Sequence, residues 1–138
     1  MSEQPPVISL QVQSTRLVRV SRHLEKVVRF YRDGIGLQEL SRFVDEKGYS
    51  GVCLGIAGQN WEMEITQHKS LKPSPAPDKD NLLVFYMDGM GAIGKLVITL
   101  GRMGHFPVSQ EHPLWHEVGV TFEDPDGWRV VLVEHAVK

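Results

Sequence analysis

Two tryptophans, each opening a strand-like run, lie 67 positions apart: Trp61 in "WEMEI" and Trp128 in "WRVVL". A fixed offset constrains a chain more than any single motif, because two copies of one supersecondary unit must bury their apolar faces together. The same offset pairs "TRLVRV" (15–20) with "LLVFYM" (82–87), both strand-like. It pairs "LEKVVRFY" (24–31) with "GAIGKLVI" (91–98), both apolar at helical spacing. It also pairs "GYSGVCLG" (48–55) with "WHEVGVTF" (115–122), two further strand candidates. Identity between the halves is faint. What recurs is an order of periodicities: strand, helix, then two or three strands.

Local signals support that order. Leu24, Val27, Val28 and Tyr31 form an apolar stripe, with Ser21 placed to cap the helix and Gly34 or Gly36 to end it. "LQELSRFV" (37–44) predicts a strand that "DEKG" turns back, and "AGQN" leads into "WEMEITQH" (61–68). In the second half Asp88 is placed to cap a helix over 89–102, which Gly89, Gly91 and Gly94 weaken. Residues 105–114 hold one short edge strand at most, and the chain closes as a hairpin across "EDPDG". The organisation expected is an arm (1–14), a first module (15–71), a proline-rich linker (72–80) and a second module (81–138).

With 41% apolar and 23% charged residues, the composition is that of an ordinary globular domain. A net charge of −2 with both signs interspersed gives no phosphate-tracking surface, so no nucleic acid is expected as partner. No apolar run reaches membrane-span length, and the N-terminus lacks a secretory pattern. The single cysteine, Cys53, excludes an internal disulfide and a cysteine-type zinc site; the cytoplasm is the expected setting. Nothing nearby lowers the Cys53 pKa, so it reads as inert core.

"LVRVSRHLEKVVRFYRDGIGL" and "VTFEDPDGWRVVLVE", set in two βαβββ modules, resemble the vicinal oxygen chelate superfamily, which includes glyoxalase I, the bleomycin-resistance proteins and the extradiol dioxygenases. The resemblance spans residues 15–135. It implies an α+β fold in which paired βαβββ modules form a curved mixed sheet, a cup, with helices on the outer face. It also implies, for glyoxalase-type enzymes, four metal ligands from the first and last strand of each module. Carried onto this sequence, those positions are Thr15, Glu64, Leu82 and Val131. Of these only Glu64 is a strong donor, whereas a transition metal wants about four. No cofactor is therefore expected, and a divalent metal enters only with an alternative ligand set. The histidines of "HPLWH" share a face only on a helix, which Pro113 opposes, and Glu64 with His68 supplies two ligands at most.

The alternation of "WEMEITQH" sends Trp61, Met63 and Ile65 to the helices and Glu62, Glu64, Thr66 and His68 to the cup. The same reasoning puts Thr15, Leu17 and Arg19 in the cup from the first strand. Leu82, Val84 and Tyr86 join them from the second module's first strand, and Arg129, Val131 and Val133 from its last. Aliphatic walls with a few polar groups are a common pocket composition. Glu64 is open to three readings: a structural pair with Arg129 or Arg19, a hydrogen-bond acceptor for a ligand, or a general base acting without metal. Trp61 and Trp128 read as core, whereas Trp115 either closes one end of the cup or fills a dimer contact. Tyr86 offers its ring to packing or its hydroxyl to the cavity.

The expected function is binding of a small organic molecule in the cup without the family's metal. The alternative is a lyase, isomerase or ring-cleaving enzyme with a non-standard ligand set around Glu64. A homodimer is expected, since the arm with "VISLQV" suits pairing along an exposed edge.

Overall fold

Strand-forming and helix-forming stretches alternate along the chain, and the computed structural model turns them into two successive modules. It describes residues 11–70, 77–110 and 118–137. The arm segment 1–10, linker residues 72–76, both histidines of "HPLWH" and Trp115 lie outside the described residues.

The first module runs β1 (Thr15–Val20), α1 (Leu24–Arg29) continuing through wider π-helical turns (Phe30–Ile35), β2 (Gln38–Glu46), β3 (Tyr49–Gly55) and β4 (Trp61–His68). The second runs β5 (Leu82–Met87), α2 (Met90–Arg102), β6 (Val120–Glu123) and β7 (Arg129–Glu134). An isolated bridge from Val108 to Thr121 is all that forms of the short edge strand expected in 105–114 among the described residues. The first sheet is ordered β1-β4-β3-β2 and the second β5-β7-β6. In both, the first strand pairs parallel with the last, because the helix carries the chain across before it returns. The α+β class and the paired modules, each with a helix packed on one sheet face, are as the sequence predicts.

Both expected helix caps are corrected. Ser21 lies too early to cap α1: its Oγ accepts the His23 N–H at 2.8 Å, while Gln67 on β4 accepts the Leu24 N–H at 2.8 Å. A strand side chain thus satisfies an orphan donor of the helix start. At α2 the N-cap is Gly89, at φ 92°, with no side-chain cap from Asp88. Glycine fits there because that dihedral crowds a Cβ.

One apolar cluster joins the modules. Val27, Val28, Phe30 and Tyr31 meet Met63 and Ile65 of the first sheet; Phe122, Val130 and Leu132 of the second sheet enter the same cluster with Ile93 and Leu100 of α2. The π-helical turns place the adjacent Phe30 and Tyr31 both at full burial. Their rings meet edge to face at 4.9 Å. Helix-facing residues of the two sheets also touch directly: Trp61 and Phe85 stack edge to face at 6.0 Å, and the Arg19 guanidinium lies 4.5 Å from the Trp128 ring centroid. A buried hydrogen bond spans the modules as well. Tyr31 Oη donates to Asp124 Oδ2 at 2.7 Å, and Asp124 Oδ1 accepts the Asp126 and Trp128 N–H groups of the β6–β7 turn. Since the helix-facing sides meet, the opposite, bare faces of the two sheets point away from each other.

Candidate functional site: two bare sheet faces

In-register neighbours on adjacent strands share a face. Arg16 pairs with Glu62, Val18 with Glu64 and Val20 with Thr66, so these six form the bare face of the first sheet. Thr15 pairs with Trp61, Leu17 with Met63 and Arg19 with Ile65, on the helix side. This corrects the expectation for β1: Thr15 and Arg19 do not join Glu64, and the phase of that strand is reversed. The constant offset fails there by one position. In the ladders, Arg16 and not Thr15 stands where Leu82 stands in the second module. A slip of one residue sends every side chain of a strand to the other face.

Arg16 is the residue the sequence reading missed. Its Nε–H donates to Glu62 Oε1 at 2.8 Å and its Nη1 to Glu64 Oε2 at 2.8 Å, while Nη2 lies 2.6 Å from Glu62 Oε1. The partner of Glu64 is therefore Arg16, not Arg129 or Arg19. The hydrogen bond from Arg16 holds the Glu62 carboxyl below the usual carboxylate range, and the same contact raises the guanidinium. Arg16 keeps 48% of its side chain exposed, so N–H groups remain available to a visitor. Cys53 pairs across the ladder with Glu64. Its burial, then its contact with Glu62, push the thiol pKa up against the opposing pull of Arg16. A protonated, buried thiol is a poor nucleophile, in keeping with the inert reading.

His68 shares the parity of Glu64 but lies four residues along the strand, roughly 13 Å away. There its ring packs edge to face on Tyr49 at 4.6 Å, and its Nδ1 accepts the Ser70 N–H at 3.1 Å. The structure does not bring Glu64 and His68 together as a ligand pair. Thr66 is buried on the same bare face.

The bare face of the second sheet is apolar. Leu82, Val84, Val131 and Val133 form a cluster separate from the shared core, with Val131 and Val133 at 0% exposure. Leu82 and Val131 thus stand on the side away from the helices, as the alternation predicts. Tyr86 lies on this face, its ring 6.4 Å from that of His135. Arg129 is not a surface residue: it is buried, bonds Glu123 Oε1 through Nε and Nη2, and donates from Nη1 to Ser109 O at 2.7 Å. Its charge is spent inside its own module.

The residues present do not fit the superfamily's metal. Of the positions corresponding across the ladders, Leu82 and Val131 carry no donor atom, Arg16 brings a positive charge, and Glu64 is held by that charge. Among the described residues no group of three or more His, Cys, Asp or Glu side chains is arranged to hold a metal ion. Nor, among them, is any helix long and apolar enough to cross a membrane.

Comparison with known proteins agrees with this architecture. Residues 15–66 match the YycE-like N-terminal domain and residues 80–134 the YycE-like C-terminal domain. The uncharacterized protein YycE of Bacillus subtilis is 36% identical over 125 residues, which cover 91% of this chain and 90% of that protein. A crystal structure of a Bacillus subtilis YycE protein of unknown function superposes with a TM-score of 0.84 at 36% identity, covering 89% of this chain and 90% of that one. More distantly, glyoxalase I of Leishmania major gives 0.68 at 16% identity, with 88% and 85% covered. The fosfomycin resistance protein FosX of Mesorhizobium loti gives 0.67 at 15%, with 91% and 92% covered. At those identities the likeness is one of fold. Two family domains in the order of the two modules, and a relative matched over nine-tenths of both chains, place this chain in the YycE-like family, within the vicinal oxygen chelate superfamily.

Proposed function

We propose that the chain binds a small organic molecule between two copies of itself, without a catalytic metal. The bare face of one copy's first sheet would oppose the bare face of the other's second sheet, giving a hollow with one hydrocarbon wall and one charged wall. The observation that carries this reading is the Arg16–Glu62–Glu64 cluster on one face, set against Leu82, Val84, Val131 and Val133 on the other. Apolar walls with a few fixed polar groups suit an organic ligand. Exposed Val18, Val20 and Tyr86 on the bare faces favour a covering partner, since apolar groups gathered on one surface mark contact sites. Glu64 acts here as an anchor for Arg16 rather than as a general base, and Arg16 offers its remaining N–H groups to an acceptor on the ligand. The cytoplasm is the proposed setting, given the lone thiol.

Native mass spectrometry of freshly purified protein tests this. The expected species is a dimer that releases an organic molecule on activation. Val18→Trp, at a position 52% exposed, should fill the hollow and remove the molecule without disturbing the core. A monomer retaining nothing, or retention unaffected by Val18→Trp, would overturn the proposal.

A further inference from the structure

We propose a second small-molecule site, for a compact organic carboxylate, on the opposite side of the first sheet from Arg16. The helix-facing side of that sheet is longer than α1 can cover. α1 begins only at Leu24, while β2 and β3 run on past it to a turn at residues 47–48. Beyond the helix start the sheet is left open as a groove of about 560 Å³. Apolar Leu24 and Val44 line it, with the side chains of Ser50 and Gln67 beneath, while the Phe43 ring packs over Gly51 on the other face of the sheet. The hairpin tip bends here through a register shift between Phe43 and Glu46, with Asp45 and Lys47 both at φ 51°. Non-glycine residues adopt that conformation at some cost, so this bend is one the surrounding structure holds in place.

Charge selects the occupant. Lys26 of α1 and Lys69, which follows β4, both line it, and neither has a carboxylate partner among the described residues. Arg42, in the wall, is already matched by Glu25 and Glu39, so it shapes the groove and does not recruit a ligand. The formal charges of the lining are those of Lys26, Arg42 and Lys69 against Glu25 and Asp45, with His23 neutral. The excess is positive, on a chain whose net charge is −2. Two unmatched ammonium groups beside the apolar Leu24 and Val44 fit a molecule with a carboxylate on a small hydrophobic body. Neither bare sheet face contributes Arg16, Glu62, Glu64, Leu82 or Val131 to this groove, so the site is independent of the dimer hollow.

Benzoate is the probe, with benzamide as its uncharged counterpart, and backbone amide NMR shifts report where each binds. Benzoate should produce saturable shifts centred on residues 23–26, 43–50 and 67–69, with benzamide about tenfold weaker. Lys26→Glu with Lys69→Glu should weaken benzoate by about tenfold or more, while Arg16→Leu leaves it unchanged. Both lysines are on the surface, and an unaltered melting temperature of the double variant certifies its fold. Equal binding of benzamide, shifts confined to residues 62–66 and 82–86, or no saturable shift at all would each overturn the proposal.

Discussion

The two sheets share a ladder geometry and differ in what they do with it. Each turns one face to the common core and the other away from the helices. On the first sheet that bare face carries Arg16 between two glutamates, with Arg16 half exposed and Val18 at 52%. On the second it carries four aliphatic residues, two of them at 0% exposure, and its charged residue Arg129 is closed off by Glu123 and Ser109. The first face is therefore charged and part-exposed, whereas the second is apolar and closed at its centre. Duplicated backbone hydrogen bonding does not duplicate chemistry, because the ladder fixes where side chains point and leaves their identity open.

The sharpest way to break the comparison is to change the charge at equivalent positions of the two faces. Val131→Asp buries an unpaired carboxylate and should cost at least about 3 kcal/mol, or prevent folding, in urea unfolding. Glu64→Leu, its counterpart on the first sheet, removes one partner of a part-exposed ion pair and should change stability by less than about 1 kcal/mol.

An intermediate effect is expected at the link between the modules. Tyr31→Phe deletes the buried donor to Asp124 and should cost about 1–2 kcal/mol. Burial, the largest influence, holds the Asp124 carboxyl above the usual range despite its hydrogen bonds. An acid with a raised folded pKa contributes stability that is complete below its unfolded pKa and is lost as pH rises through the folded value. The stability of the natural protein relative to Asp124→Asn should accordingly rise as pH falls from about 8 to about 4. A flat difference across that range would remove Asp124 from the account.

Arg16→Leu should have the smallest effect on stability, because the pair it breaks is open to water. Its signature is local: the Glu62 carboxyl, now without its hydrogen-bonding cation, should titrate at higher pH by carbon NMR.

Most of the fold was legible in the sequence, since strands announce themselves by alternation and the "DPDG" turn closes the last hairpin as expected. Half of the candidate site was legible too. In "LLVFYM" and "WRVVLV" the repeat and the alternation agree, and Leu82 and Val131 lie away from the helices. "TRLVRV" resisted because either parity gives a mixed face, Thr-Leu-Arg or Arg-Val-Val, so composition could not set its phase. The repeat offset decided it, and that offset is one position wrong in the first strand. Asp124 was concealed differently: its turn role explains it locally, and its bond to Tyr31 joins residues 93 positions apart.

The central claim is that hydrocarbon and a paired guanidinium replace a metal-ligand set on these two faces. Elemental analysis of protein purified without chelators, then offered zinc, nickel and manganese and desalted, tests it most directly. The account predicts no transition metal above a small fraction of one per chain. One tightly held ion per chain, lost on Glu64→Gln, would contradict it.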